Sequence, residues 1–575
     1  MEKQSFVVKI AGAAGEGIMT TGLLLSKTIA RHGWYVFDYP EYPSLIRGGH
    51  NTYQICASKN PVYCQSAKSD VLVAINKEGL DLHQNEMSEN AVVFYDKEND
   101  KVDISNYSFR AKTIDLPMVK LAEDAGGKDI MGNNVALGAC IYILGLDLVV
   151  CDQVIADIFA DKPSEIIKLN QKAAAAGYGF LKTQTKPLLS VAKQDFHFLT
   201  MTGNEAIALG ALAGGLQFYA AYPMTPSSSI LHFLAEKANS AKIVVKHAED
   251  EISAVNMALG ASYVGVRSMV GTSGGGFCYM VEGLGLSGIC ELPLVVVEAM
   301  RPGPALGMPT WTAQGDLKFI VDASHGEFPR FVLAPGDGLE AFELTRKSLE
   351  LAEKYQVPVI LVSDKYLSES RYCFELDKKS FENSRFGFQK SPAPDKTGLY
   401  PRYQLNNSRI GNRTVPGTSQ GEYVANSYFH EEHGLSTEDS NICKLELDKN
   451  FKKLEKMRQE IPEQFWQSDP KAEITFISFG STKGVVQQAK DELKDLGIAI
   501  NMLNLSWLWP FPKEQVEQVI KGSKNVVIVE GNIGGQLAQL IASQTGFIAK
   551  NRINRYDGRP FYSEEIVDFV KNFKA

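Results

Sequence analysis

The stretch Phe218–Ser229, FYAAYPMTPSSS, decides the fold of the surrounding chain. A short apolar strand stops at Pro223, and an apolar helical pattern, Ile230–Ala235, begins directly after the serines. Two prolines fix the backbone of the turn between them, and its hydroxyl groups gather where the helix begins. The simplest interpretation is that Ser227 or Ser228 caps the helix. Because capping needs only one hydroxyl, the stretch also predicts a site for a carboxylate or carbonyl group at a strand's carboxyl end.

The same alternation of strand and helix continues on both sides of this turn. Further strands are predicted at Lys242–Val245, Ser268–Gly271, Leu292–Glu298, Arg330–Leu333 and Pro358–Ser363, and helices at Asn204–Gly215, Glu251–Val264, Met280–Leu286 and Gly338–Tyr355. Such alternation is typical of a doubly wound sheet, which binds its ligands at the carboxyl ends of the strands. We therefore expect an α/β domain over residues 195–375.

Three acidic residues, Glu249, Asp250 and Glu251, stand where one of these helices begins. Acids are common in a first helical turn because they favour the helix dipole, so each could be purely structural. Helical spacing puts Glu251 in line with a small apolar face. Asp250 lines up nearly as well, so periodicity alone does not choose between the two carboxylates.

Two more polar stretches follow strands of the same predicted sheet. The turn Gly271–Gly276, GTSGGG, would let a ring or a phosphate approach the backbone, although a flexible surface turn explains it equally well. The stretch Glu298–Pro304 places Arg301 at a strand end. An arginine there can clamp a carboxylate with two hydrogen bonds, or it can make a structural salt bridge.

The first part of the chain, residues 1–185, is a separate α/β segment. Strand Phe6–Ile10, the turn Gly12–Gly17 and helix Leu23–Ala30 follow one another, and more strands are predicted at Val71–Ile75 and Ala91–Tyr95. This order predicts a parallel sheet with helices on its faces. The glycine spacing departs from GxGxxG and no acidic residue is placed to hold a ribose, so a tight turn is favoured over NAD binding.

The pattern disappears over residues 376–465, except for a charged helix at Lys449–Glu460, and an α/β segment follows over residues 466–575. A long stretch without pattern suggests a wrap-around linker, a functional loop or partial disorder. Within it, His430 and His433 could share a helical face, but without a third ligand we expect no metal there. The last segment's predicted strands are Glu473–Phe479, Ala499–Leu503 and Asn525–Glu530, with a helix at Lys483–Leu496.

Composition excludes several classes of protein. The 575-residue chain carries a formal net charge of -8, which argues against binding to nucleic acid. Its apolar runs are too short to cross a membrane and its beginning lacks the pattern of a signal peptide, so we expect a cytoplasmic location. None of its 8 cysteines forms a CxxC pair, so we expect neither an iron–sulfur cluster nor a zinc site in this chain.

In this order the motifs resemble the fused γ–α subunit of the 2-oxoacid:ferredoxin oxidoreductases over nearly the whole chain. The stretch Tyr222–Ser228 is similar to that family's Tyr-Pro-Ile-Thr-Pro-Ser-Ser motif, with Met224 in the isoleucine place. The other matching stretches are Gly12–Gly17 and Glu41–Asn51 in a γ-type domain, Glu249–Glu251, Thr272–Gly274 and Arg301–Pro304 in a pyrimidine-binding domain, and Glu530–Asn532 and Tyr556–Phe561 in a domain like the transketolase C-terminal domain. Glu16 departs from the family, and it places a negative charge where a phosphate would approach.

The resemblance implies half of a thiamine diphosphate site. In the family a β subunit holds the diphosphate with Mg²⁺ and a [4Fe–4S] cluster, and the motifs for both are missing from this sequence. The implied catalytic residues are Glu251, Thr225 and Arg301. The implied substrate and coenzyme A (CoA) residues are Tyr222, Pro223, Thr225, Ser227, Arg301 and Arg47, and the implied cofactor residues are Glu251, Thr272, Ser273 and Gly274.

The reaction implied by the resemblance is CoA-dependent oxidative decarboxylation of a 2-oxoacid, or its reductive reverse, with ferredoxin as electron carrier and a dimer of αβ pairs as the assembly. The fused γ–α order favours 2-oxoglutarate, giving succinyl-CoA, over pyruvate or a branched-chain oxoacid. A self-contained transketolase or decarboxylase is disfavoured because the diphosphate motif is missing. A non-catalytic subunit that docks acyl-CoA or regulates is disfavoured because Glu251, Thr225 and Arg301 occur together.

Overall fold

The computed structural model describes residues 4–45, 48–189, 191, 198–381, 398–404, 410–411 and 413–573. The chain divides into two units. The first unit consists of Met1–Met201, Glu369–Glu375 and Tyr562–Phe569, and the second of Thr202–Ser368, Leu376–Phe561 and Val570–Ala575. Each unit is described by itself below.

Strands and helices are interspersed along the first 202 residues. The strands are β1 (Ser5–Ala13), β2 (Tyr35–Glu41), β3 (His50–Ser58), β4 (Ser69–Ala74), β5 (Met87–Tyr95), β6 (Lys112–Asp115) and β7 (Leu199–Thr202). The helices are α1 (Ile18–Arg31), α2 (Lys77–His83), α3 (Lys97–Asp100), α4 (Met118–Asp124), α5 (Gly132–Ile143), α6 (Leu148–Ile158) and α7 (Ser164–Gln184).

Helices and strands alternate one by one along the middle of the chain. The helices are α8 (Gly203–Ala213), α9 (Ser228–Ala241), α10 (Glu251–Tyr263), α11 (Gly274–Ile289), α12 (Leu317–Val321), α13 (Gly338–Tyr355) and α14 (Lys365–Glu369). The strands are β8 (Phe218–Ala221), β9 (Val244–His247), β10 (Ser268–Thr272), β11 (Leu294–Met300), β12 (Phe331–Leu333), β13 (Pro358–Asp364) and β14 (Arg371–Phe374).

The last part of the chain begins with a long charged helix and ends with an α/β segment. The helices are α15 (Ser440–Met457), α16 (Thr482–Asp495), α17 (Lys513–Gly522), α18 (Gln536–Thr545) and α19 (Ser563–Asn572). The strands are β15 (Phe465–Gln467), β16 (Ile474–Phe479), β17 (Asn501–Leu505), β18 (Trp507–Trp509), β19 (Asn525–Glu530) and β20 (Asn551–Asn554).

The first unit is built on a mixed sheet in the order β6-β5-β4-β1-β3-β2-β14-β7. The strands from β6 to β1 are parallel, but β3 lies between β1 and β2 and is antiparallel to both. The prediction of a parallel sheet therefore holds from β6 to β1 and is wrong for the pairing of β3 with β1 and β2. Because the connection between β2 and β3 is short, the chain can only reverse there, whereas a parallel pair needs a crossover of about a dozen residues or more.

In the part of the second unit that the structure describes there are two sheets, and the seven-stranded one fits the doubly wound pattern predicted for residues 195–375. One has the order β18-β12-β13-β11-β10-β8-β9, and its paired strands are parallel except for β18. The other has the order β15-β17-β16-β19-β20 and is parallel except for β15. Apolar side chains from both sheets share one buried cluster, which includes Val270, Val296, Leu503 and Ile528.

The segment between these two sheets, predicted as a linker, is held by buried charges. Glu291 accepts hydrogen bonds from Lys449 Nζ (2.5 Å) and Lys453 Nζ (2.7 Å), and both lysine side chains are fully buried. Arg402 donates to the Glu291 carbonyl oxygen at 2.9 Å. The predicted charged helix exists as α15, but it begins at Ser440 because Asp439 caps it by accepting the N–H groups of the first turn.

Candidate active site

Three neighbouring strands of the seven-stranded sheet, β8, β10 and β11, end at the same edge. Each is followed by one of the polar stretches singled out in the sequence. Parallel pairing puts Thr272, at the end of β10, beside Glu298 of β11. This edge therefore collects the predicted site residues from separate parts of the chain.

The structure shows which of the two carboxylates, Asp250 or Glu251, is buried, a choice that helical periodicity left open. Asp250 is exposed and caps α10, since its Oδ1 accepts the Ser253 N–H at 2.7 Å. Glu251 is the first residue of α10 and only 4% exposed. Its Oε1 is buried, and no group among the described residues hydrogen-bonds it. A buried carboxylate oxygen without a donor is costly, so the arrangement points to a partner that is not part of this chain.

Glycines at the start of α11 let three other elements approach its first turn. A β-carbon on Gly276 would stand 2.5 Å from Glu251 Oε1 and would overlap Thr272 Oγ1. One on Gly274 would overlap Asp316 Oδ2, and Gly275 faces the Met224 sulfur. The flexible turn predicted here is wrong in part, because Gly274–Gly276 are already helical. These glycines are needed because neighbouring side chains approach the helix too closely for a β-carbon, and not because the turn is flexible.

The first turn of α11 has no side-chain cap. Ser273 occupies the cap position, is fully buried and leaves its Oγ without a hydrogen-bond partner. Thr272 is equally buried. Backbone N–H groups at an uncapped helix start carry partial positive charge, and here they lie beside two buried hydroxyl groups. The arrangement can receive a polar ring edge or a carbonyl oxygen.

The turn after β8 is rigid, and its serine does not cap the next helix. Ser227 Oγ donates to the Met224 carbonyl oxygen at 2.8 Å and makes no capping bond to α9, so the capping interpretation is wrong for Ser227. Asn204 Nδ2 donates to the Pro226 carbonyl oxygen at 2.7 Å. Tyr222 and the following proline begin this turn, with Tyr222 exposed.

Arg301 joins two of the predicted site stretches. It follows β11, is only 6% exposed, and its Nη1 donates to the Thr225 carbonyl oxygen at 2.7 Å. Burial lowers the pKa of the guanidinium, and the nearby Asp316 and Glu298 carboxyl groups oppose that effect. The rest of the guanidinium makes no further hydrogen bond to the described residues. It remains available to a carboxylate.

Three acidic residues at this edge were not predicted to belong to the site. Glu298 of β11 is fully buried, and neither carboxyl oxygen has a hydrogen-bond partner. Burial, together with Asp316 and Asp364, raises the pKa of Glu298 well above its ordinary value. Burial also raises the pKa of Asp316, to about 6, against the effect of Arg301. The sequence did not distinguish these carboxylates as site residues, because acidic residues in a strand or at the start of a helix are common for purely structural reasons.

The glycine turn Gly12–Gly17 of the first unit is closed by one of its own side chains. Glu16 Oε2 accepts the Ala13 N–H at 2.6 Å and an Asn76 Nδ2 hydrogen at 2.9 Å, so the Glu16 carboxylate itself closes the turn. Gly17 ends the turn in the left-handed region at φ 80. Arg47, predicted to contact CoA, lies outside the described residues.

The part of the chain that the structure describes contains neither a cluster of metal-binding side chains nor a membrane-spanning helix. No group of three or more histidine, cysteine, aspartate or glutamate side chains is arranged to hold a metal ion. Within the same residues, every helix is either too short or too polar to span a membrane. His430 packs against the Tyr403 ring, with centroids 3.9 Å apart, and its Nδ1 contacts the Tyr428 carbonyl oxygen.

Comparison with known families defines the class of protein. Residues 209–438 match the model described as pyruvate flavodoxin/ferredoxin oxidoreductase, thiamine diphosphate-binding. Residues 7–180 match the pyruvate ferredoxin/flavodoxin oxidoreductase model, and residues 472–566 match core domain II of pyruvate:ferredoxin oxidoreductase. The chain is thus part of an oxidoreductase of 2-oxoacids that has a thiamine diphosphate-binding domain.

Individual relatives narrow the class. The chain is 30% identical to the 2-oxoacid:ferredoxin oxidoreductase subunit alpha of Saccharolobus solfataricus, over 98% of this chain and 96% of that protein. It is 27% identical to the 2-oxoglutarate oxidoreductase subunit KorA of Mycobacterium tuberculosis, over 99% and 91%. A solved 2-oxoglutarate:ferredoxin oxidoreductase from Magnetococcus marinus, with 2-oxoglutarate, coenzyme A and succinyl-CoA bound, matches with a TM-score of 0.91 and 31% identity over 99% of both chains. This chain belongs to the 2-oxoacid:ferredoxin oxidoreductase family, among its alpha subunits.

Proposed function

We propose that this chain supplies the aminopyrimidine side of a thiamine diphosphate site that it shares with a β subunit. The observation that carries the proposal is the buried Glu251 carboxylate, whose Oε1 has no hydrogen-bond partner among the described residues and lies where a β-carbon on Gly276 would come within 2.5 Å of it. A ring nitrogen is a suitable partner, because a carboxylic acid can share its proton with it. The matched thiamine diphosphate-binding model covers this region and supports the assignment.

The residues around Glu251 fit an aminopyrimidine ring. When bound, the cofactor supplies the carbanion and electron-sink chemistry that decarboxylation of a 2-oxoacid requires. Glu251 holds a proton at the ring nitrogen, while Thr272, Ser273 and the Gly274 backbone present polar groups to the ring edge. Ser273 Oγ, buried without a partner, supports this role. The pocket wall of small residues excludes water from the shared proton.

The oxoacid lies beside the ring in this proposal. Arg301 and Thr225 bind its carboxylate and carbonyl groups, supported by the hydrogen bond that already joins them. Tyr222, Pro223 and Ser227 of the adjacent turn are the proposed substrate and CoA residues of this unit. Arg47, outside the described residues, stays a separate proposal as a CoA residue. Glu251, Thr225 and Arg301 are the catalytic set.

The proposed substrate is 2-oxoglutarate, converted to succinyl-CoA, or formed from it in the reductive direction. The relatives named for 2-oxoglutarate over nearly the full length of this chain support that choice over pyruvate or a branched-chain oxoacid. In the proposed complex a β subunit holds the diphosphate, Mg²⁺ and a [4Fe–4S] cluster and passes electrons to ferredoxin. The complex is a cytoplasmic dimer of αβ pairs.

The proposed division of labour follows four segments. Residues 1–185 form the γ-type domain, 195–375 the pyrimidine-binding domain, 376–465 the linker and helix, and 466–575 the domain like the transketolase C-terminal domain. The matched models over residues 7–180 and 472–566 support the first and fourth segments, whereas the thiamine diphosphate-binding model over residues 209–438 extends past the second segment into the third.

The test uses this chain purified together with its β subunit. Oxoacid-dependent reduction of a viologen dye is measured with CoA and 2-oxoglutarate, pyruvate or 2-oxoisovalerate. We expect kcat/KM to be highest for 2-oxoglutarate, and Glu251→Gln to lower it roughly 100-fold or more. Glu249→Gln is the matched control, because Glu249 is exposed two residues away. Equal rates for Glu251→Gln and the native complex would overturn the proposal.

A further inference from the structure

An open groove lies on the second unit, next to the helix that carries Glu251. Its volume is about 870 Å³, and one of its walls is α10, which lines it from Ile252 onward. The other walls are α11, the turn before Pro329, the segment 427–430 and α15. Ile252 directly follows Glu251 in the chain. A polypeptide that reaches a cofactor at Glu251 therefore comes close to this groove.

Large apolar side chains are exposed in the groove. Tyr428, Tyr279 and Ile252 line it and are 69%, 61% and 51% exposed. Exposed apolar side chains that gather in one place, with polar residues around them, are typical of a surface that another molecule covers. Tyrosine is enriched in such interfaces, and the face of its ring attracts cations. The groove therefore has the composition of an interaction surface.

The charged side chains of the groove have one sign. Glu282, Glu327 and Glu446 line it, and none of the described residues around it is a lysine or an arginine. Glu446 is buried, and the ammonium group of Lys449 lies 3.8 Å from its carboxylate. That ammonium group is already engaged by Glu291, at 2.5 Å. The three carboxylates of the groove are complementary to a positively charged partner.

Two further side chains of the groove have acceptor atoms without a donor. His430 is 2% exposed, and its Nδ1 donates to the Tyr428 carbonyl oxygen, so its Nε2 carries a lone pair. This Nε2 and the Asn450 Oδ1 are buried, and no described residue hydrogen-bonds either atom. Buried acceptors without donors are costly. An ammonium or guanidinium group has only donors, so it would satisfy these acceptors and a carboxylate together.

We infer that the groove receives a basic segment of the β subunit, with a lysine or arginine side chain placed among Glu446, His430 and Asn450. The inference rests on the proposed function, in which a β subunit completes the cofactor site at Glu251. Continuity with that site favours the β subunit as the occupant. A second copy of this chain is a poorer match, because its formal net charge of -8 would bring further negative charge to an acidic groove.

The first experiment follows the dissociation of the complete complex on dilution, by mass photometry. Burial raises the pKa of Glu446 to about 7, against the effect of Lys449, so the measurement is made at pH 8, where its carboxyl group is charged. We expect the Kd for the β subunit to rise roughly tenfold or more in Glu282→Lys and in Glu446→Gln. The control Glu455→Lys, an exposed residue of α15 outside the groove, should keep the native Kd.

A second experiment identifies the occupant directly. The photocrosslinker p-benzoylphenylalanine is placed at Tyr428, which is exposed in the groove. Illumination of the complete complex should join this chain to a lysine- or arginine-bearing peptide of the β subunit, as read by mass spectrometry. A cross-link to a second copy of this chain, or to neither subunit, overturns the inference.

The outcomes separate this inference from the proposed function. With the β subunit at saturating concentration, Glu282→Lys should reduce the viologen dye with the native kcat, whereas Glu251→Gln should assemble normally and lose activity. If Glu282→Lys and Glu446→Gln both dissociate as the native complex does, only the assignment of the groove fails. Native activity in Glu251→Gln would remove the proposed function instead. Should Glu446→Gln not fold, Glu282→Lys decides, because Glu282 is exposed.

Discussion

Gly276 and Glu251 are in such close contact that a β-carbon on the glycine would stand 2.5 Å from the carboxylate Oε1. Glu251 is the first residue of α10 and Gly276 lies in the first turn of α11, and both helices begin at the carboxyl edge of one sheet. Their contact keeps the Glu251 carboxylate buried at the start of its helix while leaving one oxygen without a protein partner. The proposed function depends on this contact.

Gly276→Ala should disable the site without preventing assembly. The added methyl group overlaps Thr272 Oγ1 and displaces Glu251, and a shift of about 1 Å in a catalytic group can cost roughly 100-fold in rate. Overpacking should also cost about 1–3 kcal/mol of stability. Dye reduction and thermal unfolding of the complex measure both effects. Gly260→Ala is the control, because its β-carbon would meet open space in α10. Equal activity of both variants would contradict the described contact.

Arg301→Lys should weaken oxoacid binding more than it slows turnover. Lysine cannot keep the bond to the Thr225 carbonyl oxygen and also offer two parallel donors to a carboxylate. A lost hydrogen bond to a charged group is worth about 1.5–3 kcal/mol, so KM should rise roughly tenfold to a hundredfold. Steady-state kinetics give KM and kcat separately. Arg31→Lys, in an exposed ion pair with Asp157, should change neither. An unchanged KM in Arg301→Lys would count against the assignment.

Gln314→Ala should loosen the segment that precedes Asp316. The Gln314 side chain accepts the Gly531 N–H at 2.8 Å and donates to the Phe479 carbonyl oxygen at 3.1 Å, and it is buried. Each buried backbone group left without a partner costs about 1–3 kcal/mol. We expect a lower unfolding midpoint in urea, with the control Gln518→Ala, an exposed glutamine of α17, unchanged. Identical midpoints would show that these bonds contribute little.

Substitutions of Glu291 and of its buried lysine partners should lower the free energy of unfolding by unequal amounts. Glu291→Gln leaves two lysines buried without their carboxylate and should cost about 3–5 kcal/mol, whereas Lys453→Met leaves the Glu291–Lys449 pair and should cost less. Burial alone would raise the pKa of Glu291, but Lys449 and Lys453 outweigh it and lower the pKa. Its contribution to stability is therefore complete near pH 7 and is lost as pH falls below about 4.

Chemical unfolding at pH 7 and at pH 4 measures these differences. At pH 7 Glu291→Gln should lower the free energy of unfolding more than Lys453→Met does. At pH 4 the difference in free energy of unfolding between Glu291→Gln and the native chain should be smaller. A larger loss in Lys453→Met than in Glu291→Gln would contradict the described charge arrangement.

The sequence predicted the seven-stranded sheet best at β10, β11 and β13, because these strands are buried on both faces. The predicted strand Pro358–Ser363 differs from the observed β13 by one residue, since a continuous apolar run bounded by a proline and polar residues has clear ends. The strand β3 was missed because it is buried on both faces although Asn51, Thr52 and Gln54 are polar. Polar residues conceal such a strand from any argument based on apolar periodicity.

The site was predictable in its residue types but not in its exact contacts. Glu251 and Asp250 differ by one position, and only the observed helix start shows which of them caps α10. Asp316 was missed because a Gly-Asp pair before an apolar run indicates a helix cap. Gln536, far along the chain, takes that role, and no local pattern reveals a contact at such separation.

The most direct test of the central claim follows the exchange of the thiazolium C2 proton of the bound cofactor. The complete complex is mixed with D₂O, quenched with acid at set times, and the remaining C2 proton signal is read by NMR. If Glu251 shares its proton with the aminopyrimidine, Glu251→Gln should slow the exchange roughly 100-fold or more, while the control Glu249→Gln exchanges as the native complex does. Native-rate exchange in Glu251→Gln would contradict the account.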